Sequence, residues 1–129
     1  MRYVKQRHAG TCAVASIAML SGTGYDKLYK SIKRHFKWKR VEGLDLEEEL
    51  IILSKLKIQY KILFNKIDLN KIKNNALISF KYKYSFGRHA IVWDASKKKI
   101  LDPSYKKGMI KYSKSYIENN MNYIIETIK

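Results

Sequence analysis

The sequence has one cysteine, one proline and six glycines in 129 residues. A single cysteine excludes an intramolecular disulfide, so no covalent staple holds the fold. It suits a reducing compartment, and a cytoplasmic location is expected. Scarce proline and glycine, beside 46% apolar residues, exclude the composition of a disordered chain. No apolar run approaches the ~20 residues of a membrane-spanning helix, so no transmembrane segment is expected. Arg2, Lys5 and Arg7 ahead of the apolar stretch 12–20 imitate a short secretion signal. His8, Gly10 and Thr11 interrupt the approach to that stretch, which disfavours a cleaved leader.

Acidic residues are also few, with 11 Asp and Glu against 27 Lys and Arg, a formal net charge of +16. Such a field attracts nucleic acid, anionic lipid or acidic protein. All but five of the cations are Lys, and they are spread along the chain. Specific phosphate recognition favours the bidentate Arg fork. Nucleic acid is therefore a possible partner but not the favoured one. One Cys and three scattered His form no metal-ligand set, and Gly22-Thr23-Gly24 lacks the Lys and Ser/Thr of a phosphate loop. No metal or cofactor is expected.

What is present reads as one globular domain, 1–129. A chain of this length buries roughly two thirds of its unfolded surface, enough for a core without staples. Thr11 can cap a helix through its hydroxyl. Ala13, Val14, Ile17, Ala18 and Leu20 then give a helix apolar on all sides, stopped by Gly22 and Gly24. A second helix is expected over 25–35, with Leu28 and Ile32 inward. A third begins near Asp45, with Glu47, Glu48 and Glu49 complementing the helix dipole. Leu46, Leu50, Leu53 and Leu56 would form its inner face. From Ile58 the period changes: Ile58, Tyr60 and Ile62 alternate with Gln59 and Lys61, as in a half-buried strand. Segments 76–82, 90–93 and 99–101 are further strands, followed by a short helix over 113–119 and a last strand over 123–128. Helices first and an antiparallel sheet after them indicate an α+β fold.

Chemistry concentrates around Cys12. In the first turn of a buried helix, unpaired N–H groups and the positive dipole end favour a thiolate, the attacking form of sulfur. Gln6, six positions earlier, could aim its amide at an oxyanion forming beside that sulfur, with the Cys12 N–H as second donor. His89 opens the apolar run Ala90-Ile91-Val92-Trp93 and would stand at the start of a buried strand. The interval to Asp102, at the end of Ile100-Leu101-Asp102-Pro103, fits a hairpin that lets the carboxylate orient the imidazole. Asp94 also follows His89 and is a second candidate for that role. His8 could line the cleft, although a surface-loop histidine is the simpler reading. Tyr82, Tyr84 and Phe86 could wall a substrate cleft or stack bases, or form a strand with a solvated Lys face.

The pattern Gln6, five residues, Cys12-Ala13-Val14-Ala15-Ser16-Ile17-Ala18-Met19, then His89-Ala90-Ile91-Val92 and Asp102-Pro103 resembles the bacteriocin-processing (double-glycine leader) cysteine peptidases. The resemblance implies a papain-like fold, Gln6 in the oxyanion hole, Cys12 as nucleophile, His89 as base and Asp102 as orienter. Family members commonly carry Gly after the nucleophile, where this chain has Ala13. The expected activity is hydrolysis of a peptide or isopeptide bond through a thioester. Two alternatives stand beside it: a peptidase-like domain that binds peptide or protein without turnover, and a basic nucleic-acid-binding protein.

Overall fold

The structure, a computed structural model, describes residues 1–8, 10–41, 43–83, 86–104 and 111–128. Three helices come first: α1 (Cys12–Ser21), α2 (Tyr25–Phe36) and α3 (Leu46–Lys55). Five strands follow, β1 (Tyr60–Leu63), β2 (Ala76–Lys81), β3 (Arg88–Asp94), β4 (Lys99–Leu101) and β5 (Met121–Thr127). A short α4 (Lys114–Asn119) precedes β5, and a 3₁₀ turn at Leu69–Lys71, unforeseen in the sequence, precedes β2. The strands form one antiparallel sheet in the order β1-β5-β2-β3-β4. The fold is α+β. No described helix is long and apolar enough to cross a membrane.

Core packing explains this order. α1 is buried along nearly its whole length, from Ala13 to Met19, as its unbroken apolar composition requires. It packs with Leu28 and Ile32 of α2 and Ile52 and Leu53 of α3 against Leu77, Ala90, Tyr123 and Ile125 of the sheet. The opposite face of the sheet buries Ile78, Phe80, Ile91, Trp93 and Ile124 under Leu69, Ile72 and Ile117. Central strands covered on both faces lose the alternation of a one-sided sheet. β2 and β3 are accordingly buried at almost every position. β1, at the sheet edge, keeps its half-buried pattern.

Two local expectations are corrected. Thr11 occupies the N-cap position of α1 but its hydroxyl caps nothing. It donates instead to the His8 carbonyl (2.6 Å) and sits 2.7 Å from the Tyr25 hydroxyl. In α3 a capping box forms between Asp45 and Glu48, within the acidic first turn expected to complement the dipole. The inner face of that helix, however, is Glu49, Ile52 and Leu53, while Leu46, Leu50 and Leu56 are only half-buried. Glu49 lies on the Leu46–Leu53 stripe by helical spacing, and a partner on the sheet makes its burial tolerable.

Candidate active site

Cys12 is the first residue of α1 and is half-buried. With Thr11 turned away, no side chain caps that helix end. The unshared N–H groups of the first turn and the positive dipole end therefore stand beside the thiol. The Ala90 N–H of β3 donates to Cys12 Sγ at 3.4 Å. The residue before Ala90 is His89, so the pairing of α1 with β3 sets the sulfur beside the ring.

His89 and Asp102 are separated by the β3–β4 hairpin, whose register pairs Val92 with Leu101. That pairing brings the Asp102 carboxylate to the start of β3, and His89 Nε2 donates to Asp102 Oδ1 at 2.7 Å. Asp94 is at the other end of the same strand. Its Oδ1 accepts from the Ser96 hydroxyl (2.8 Å) and the Lys97 N–H (3.3 Å), which ties it to the hairpin turn. Of the two acids, Asp102 is the one that meets the ring.

Two residues beyond the triad, Ser104 and the candidate cleft-wall residue Tyr82, complete the ring's surroundings. Ser104 Oγ donates to Asp102 Oδ1 at 2.7 Å and lies 3.1 Å from His89 Nε2, while its own N–H donates to the same carboxylate oxygen at 3.0 Å. Tyr82 stacks on the imidazole with ring centroids 5.5 Å apart, its hydroxyl 3.4 Å from Nδ1. Phe80 meets the ring edge-on from the neighbouring strand. His89 is 1% exposed. Burial alone would lower its pKa; the Asp102 hydrogen bond and the nearby Cys12 outweigh it, and the imidazole is raised to about 9. Asp102 is lowered: desolvation opposes the charge, but His89 and both Ser104 donors stabilise it more.

Gln6 is buried and held from two sides. Its N–H donates to the Pro103 carbonyl (2.9 Å), and its side-chain amide donates to the His8 carbonyl (3.1 Å). The Tyr3 hydroxyl donates to the Asp102 carbonyl (2.6 Å), so the N-terminal segment is pinned along the residues after β4. The Gln6 side-chain amide thus serves the turn before α1, and Gln6 is not among the residues lining the cleft over Cys12. His8 is exposed and stacks on Tyr29 and Tyr25. Tyr82 falls in the loop after β2, Phe86 is fully exposed, and Tyr84 lies outside the described residues.

A cleft of about 400 Å³ opens over Cys12, Ala13 and His89. Its far wall carries Glu49, Arg88 and Leu44. Tyr123 donates its hydroxyl to Glu49 and accepts Arg88 Nη1 at 2.7 Å, while Arg88 Nη2 donates to the Leu44 carbonyl at 2.8 Å. Burial pushes the Glu49 carboxyl up to about 7, against the opposing pull of the Tyr123 hydrogen bond and Arg88. Tyr82 is raised to about 12, chiefly by desolvation, so its hydroxyl stays a neutral donor through ordinary pH. Among the described residues no group of three or more His, Cys, Asp or Glu could hold a metal ion. The sequence matches no protein-family model and no curated protein.

The additional residues carried faint signals. Ser104 stands two positions after Asp102, the spacing at which a hydroxyl and amide fold back on a carboxylate. Glu49 sits at helical spacing between Leu46 and Leu53. Tyr82 gave no signal separable from its alternating neighbours.

Proposed function

We propose that this protein is a papain-like cysteine peptidase that cleaves a peptide or isopeptide bond, with Cys12, His89 and Asp102 as its triad. The observation that carries the reading is His89 held by Asp102 at 2.7 Å, with the Cys12 sulfur accepting the N–H of the next residue on the strand, Ala90, at 3.4 Å. A single thiol nucleophile of this kind suits a reducing compartment such as the cytoplasm.

The raised imidazole is a ready acceptor for the Cys12 proton, and its transfer leaves a thiolate beside an imidazolium. The thiolate attacks the acyl carbon, forming a C–S bond as the carbonyl pair moves onto oxygen. The uncapped first turn of α1 offers donors to that oxyanion, and Gln6, on the segment that leads into α1, is the proposed second donor. Collapse breaks the C–N bond, and the amine leaves with the imidazolium proton. Water, deprotonated by His89, then attacks the thioester; the C–S bond breaks and the acid and thiol are released. Asp102 keeps the ring oriented throughout, because Nε2 is tied to it and the other ring nitrogen faces the reaction.

The test is the rate of Cys12 alkylation by iodoacetamide from pH 4 to 9, in wild type and in His89→Ala. The expected result is fast labelling at pH 6 that falls on the order of 100-fold in the variant. Labelling that rises only near the ordinary thiol range of about 8.5, unaltered by the substitution, overturns the proposal and leaves a peptide-binding module as the better account.

A further inference from the structure

Tyr82 is the first residue after β2, and strand pairing decides where it stands. β2 and β3 are antiparallel, with Phe80 opposite His89 and Lys81 opposite Arg88. The connection is closed by the Tyr82 N–H, which donates to the Gly87 carbonyl at 3.2 Å. Gly87 supplies the positive φ of 95° at this return, a conformation that a side chain would strain. The half-buried Tyr82 ring therefore folds back over the imidazole, stacked at 5.5 Å and 27°, with its hydroxyl 3.4 Å from Nδ1. Nδ1 is the nitrogen left over once Nε2 is tied to Asp102, and the Cys12 thiol bonds to the same ring. Thiol, imidazole nitrogen and phenol thus meet at one point of the cleft.

The other polar side chains of the cleft are committed to the scaffold. Asp45 accepts the Glu48 N–H, Glu49 and Arg88 are bound to Tyr123, and Ser79 accepts from Asn122. Among the described residues the Tyr82 hydroxyl has only the contact to Nδ1, too long for a strong hydrogen bond. Its capacity both to donate and to accept is therefore largely unspent. We propose that the Tyr82 hydroxyl, together with His89 Nδ1, holds the water that hydrolyses the Cys12 thioester. The inference rests on the peptidase reading, in which Cys12 carries the acyl group. A water bonded to Nδ1 lies within reach of a hydroxyl 3.4 Å from that nitrogen. It gives one hydrogen to Nδ1 and the other to Tyr82 Oη, which leaves an oxygen lone pair for the acyl carbon. As the C–O bond forms, the first proton passes to Nδ1 and the carbonyl pair moves onto oxygen. Collapse breaks the C–S bond, sulfur leaves as thiolate beside the imidazolium, and the carboxylic acid departs. Tyr82 itself neither gains nor loses a proton, and burial keeps its hydroxyl neutral, with a pKa of about 12. Formation of the thioester uses no water and asks nothing of this hydroxyl, so the two half-reactions separate.

The experiment uses p-nitrophenyl acetate, which acylates an activated thiol without a peptide substrate, on wild type and on Tyr82→Phe. The variant keeps the stacked ring and removes only the hydroxyl. Release of p-nitrophenolate reads thioester formation, and intact-mass spectrometry reads decay of the acetyl group, with Cys12→Ser protein giving the background from lysines. Formation should change by less than about twofold, while decay should slow about tenfold, the loss of one hydrogen bond at the reacting water. Hydroxylamine attacks thioesters without a general base, so it should clear the acetyl group from both proteins at equal rates. Equal slowing of formation and decay means that the hydroxyl acts on the thiol–imidazole pair, and overturns the inference. Slower clearance by hydroxylamine in the variant means that the substitution has closed the cleft, and overturns it too. Wild type that is never acetylated at Cys12 overturns the peptidase reading and this inference with it. Acetylation that decays equally fast in both proteins overturns this inference alone.

Discussion

Arg88 and His89 are neighbours on β3, and each heads a buried polar network on its own side of the strand. Arg88 joins Tyr123 and Glu49; His89 joins Asp102 and Ser104. The first network is closed: the Arg88 donors go to Tyr123 and Leu44, and the Tyr123 proton goes to Glu49. It ties α3 to β3 and β5 and forms one wall of the cleft. The second is tied down at Nε2 and at the carboxylate, while Nδ1 has a long contact to the Tyr82 hydroxyl and the Cys12 thiol stands beside the ring. Satisfied polar groups fix architecture, whereas a held imidazole with one nitrogen left over is equipped for proton transfer. On the proposed function, two adjacent residues thus divide support from chemistry, because consecutive side chains on a strand point to opposite faces.

The sharpest way to break that division is Asp102→Ala. With the carboxylate gone, burial dominates the ring, so the His89 titration followed by NMR should fall from about 9 to the ordinary range or below. Fewer imidazolium–thiolate pairs at neutral pH should slow Cys12 alkylation at pH 6 by about 10- to 100-fold, since each pKa unit is a factor of ten. The cleft wall of Glu49, Tyr123 and Arg88 does not touch this carboxylate and should be unaffected. A His89 midpoint still near 9 would show that the raised value owes nothing to Asp102.

The two networks should also separate by pH. Glu49 is raised from 4.5 to about 7, so the folded state holds its proton more tightly than the unfolded chain. Its contribution to stability is complete below about pH 4.5 and is lost as pH rises through 7. His89, raised from 6.5 to about 9, has the same sign in a higher window: complete below 6.5, lost by 9. Unfolding free energy from denaturant titrations should therefore decline in two successive stages. Glu49→Gln keeps an acceptor for Tyr123 but cannot ionise, and should remove the lower stage only, on the order of 2 kcal/mol. Loss of the upper stage in this variant would mean that the networks are one coupled unit.

Much of the architecture was readable because it follows from periodicity. The all-apolar stretch after Thr11, the Leu28 and Ile32 face and the hairpin over 90–101 each obey one local rule, and the helices, strands and hairpin register follow. The juxtaposition of His89 and Asp102 was readable for the same reason, since a hairpin fixes which residues lie opposite. What local rules could not reach was competition between partners. Thr11 is a good capping residue, yet the His8 carbonyl and Tyr25 hydroxyl offer its side chain better bonds than α1 does. Glu49 reads as a dipole-compensating surface acid until Tyr123, from the far end of the chain, is placed against it. Asp94 and Asp102 are equivalent by composition, and only the hairpin turn claims Asp94.

Ser104→Ala asks whether the second network needs its outer member, and its effect should be the smallest. The hydroxyl shares one carboxylate oxygen with the imidazole, while the Ser104 N–H, kept in the variant, continues to hold Asp102. Loss of one hydrogen bond to a charged group whose carboxylate is still partly open to water should cost about 1 kcal/mol of stability or less. Asp102 should become easier to protonate, since one of the donors that lower its pKa is gone. The His89 midpoint should move down slightly, and alkylation at pH 6 should fall about two- to fivefold. A steric or purely structural role for Ser104 would change stability without moving that midpoint. Ser104→Thr, which restores the hydroxyl, should return the midpoint and the rate together. If the rate recovers while the midpoint does not, Ser104 acts on the cleft by packing and not through Asp102.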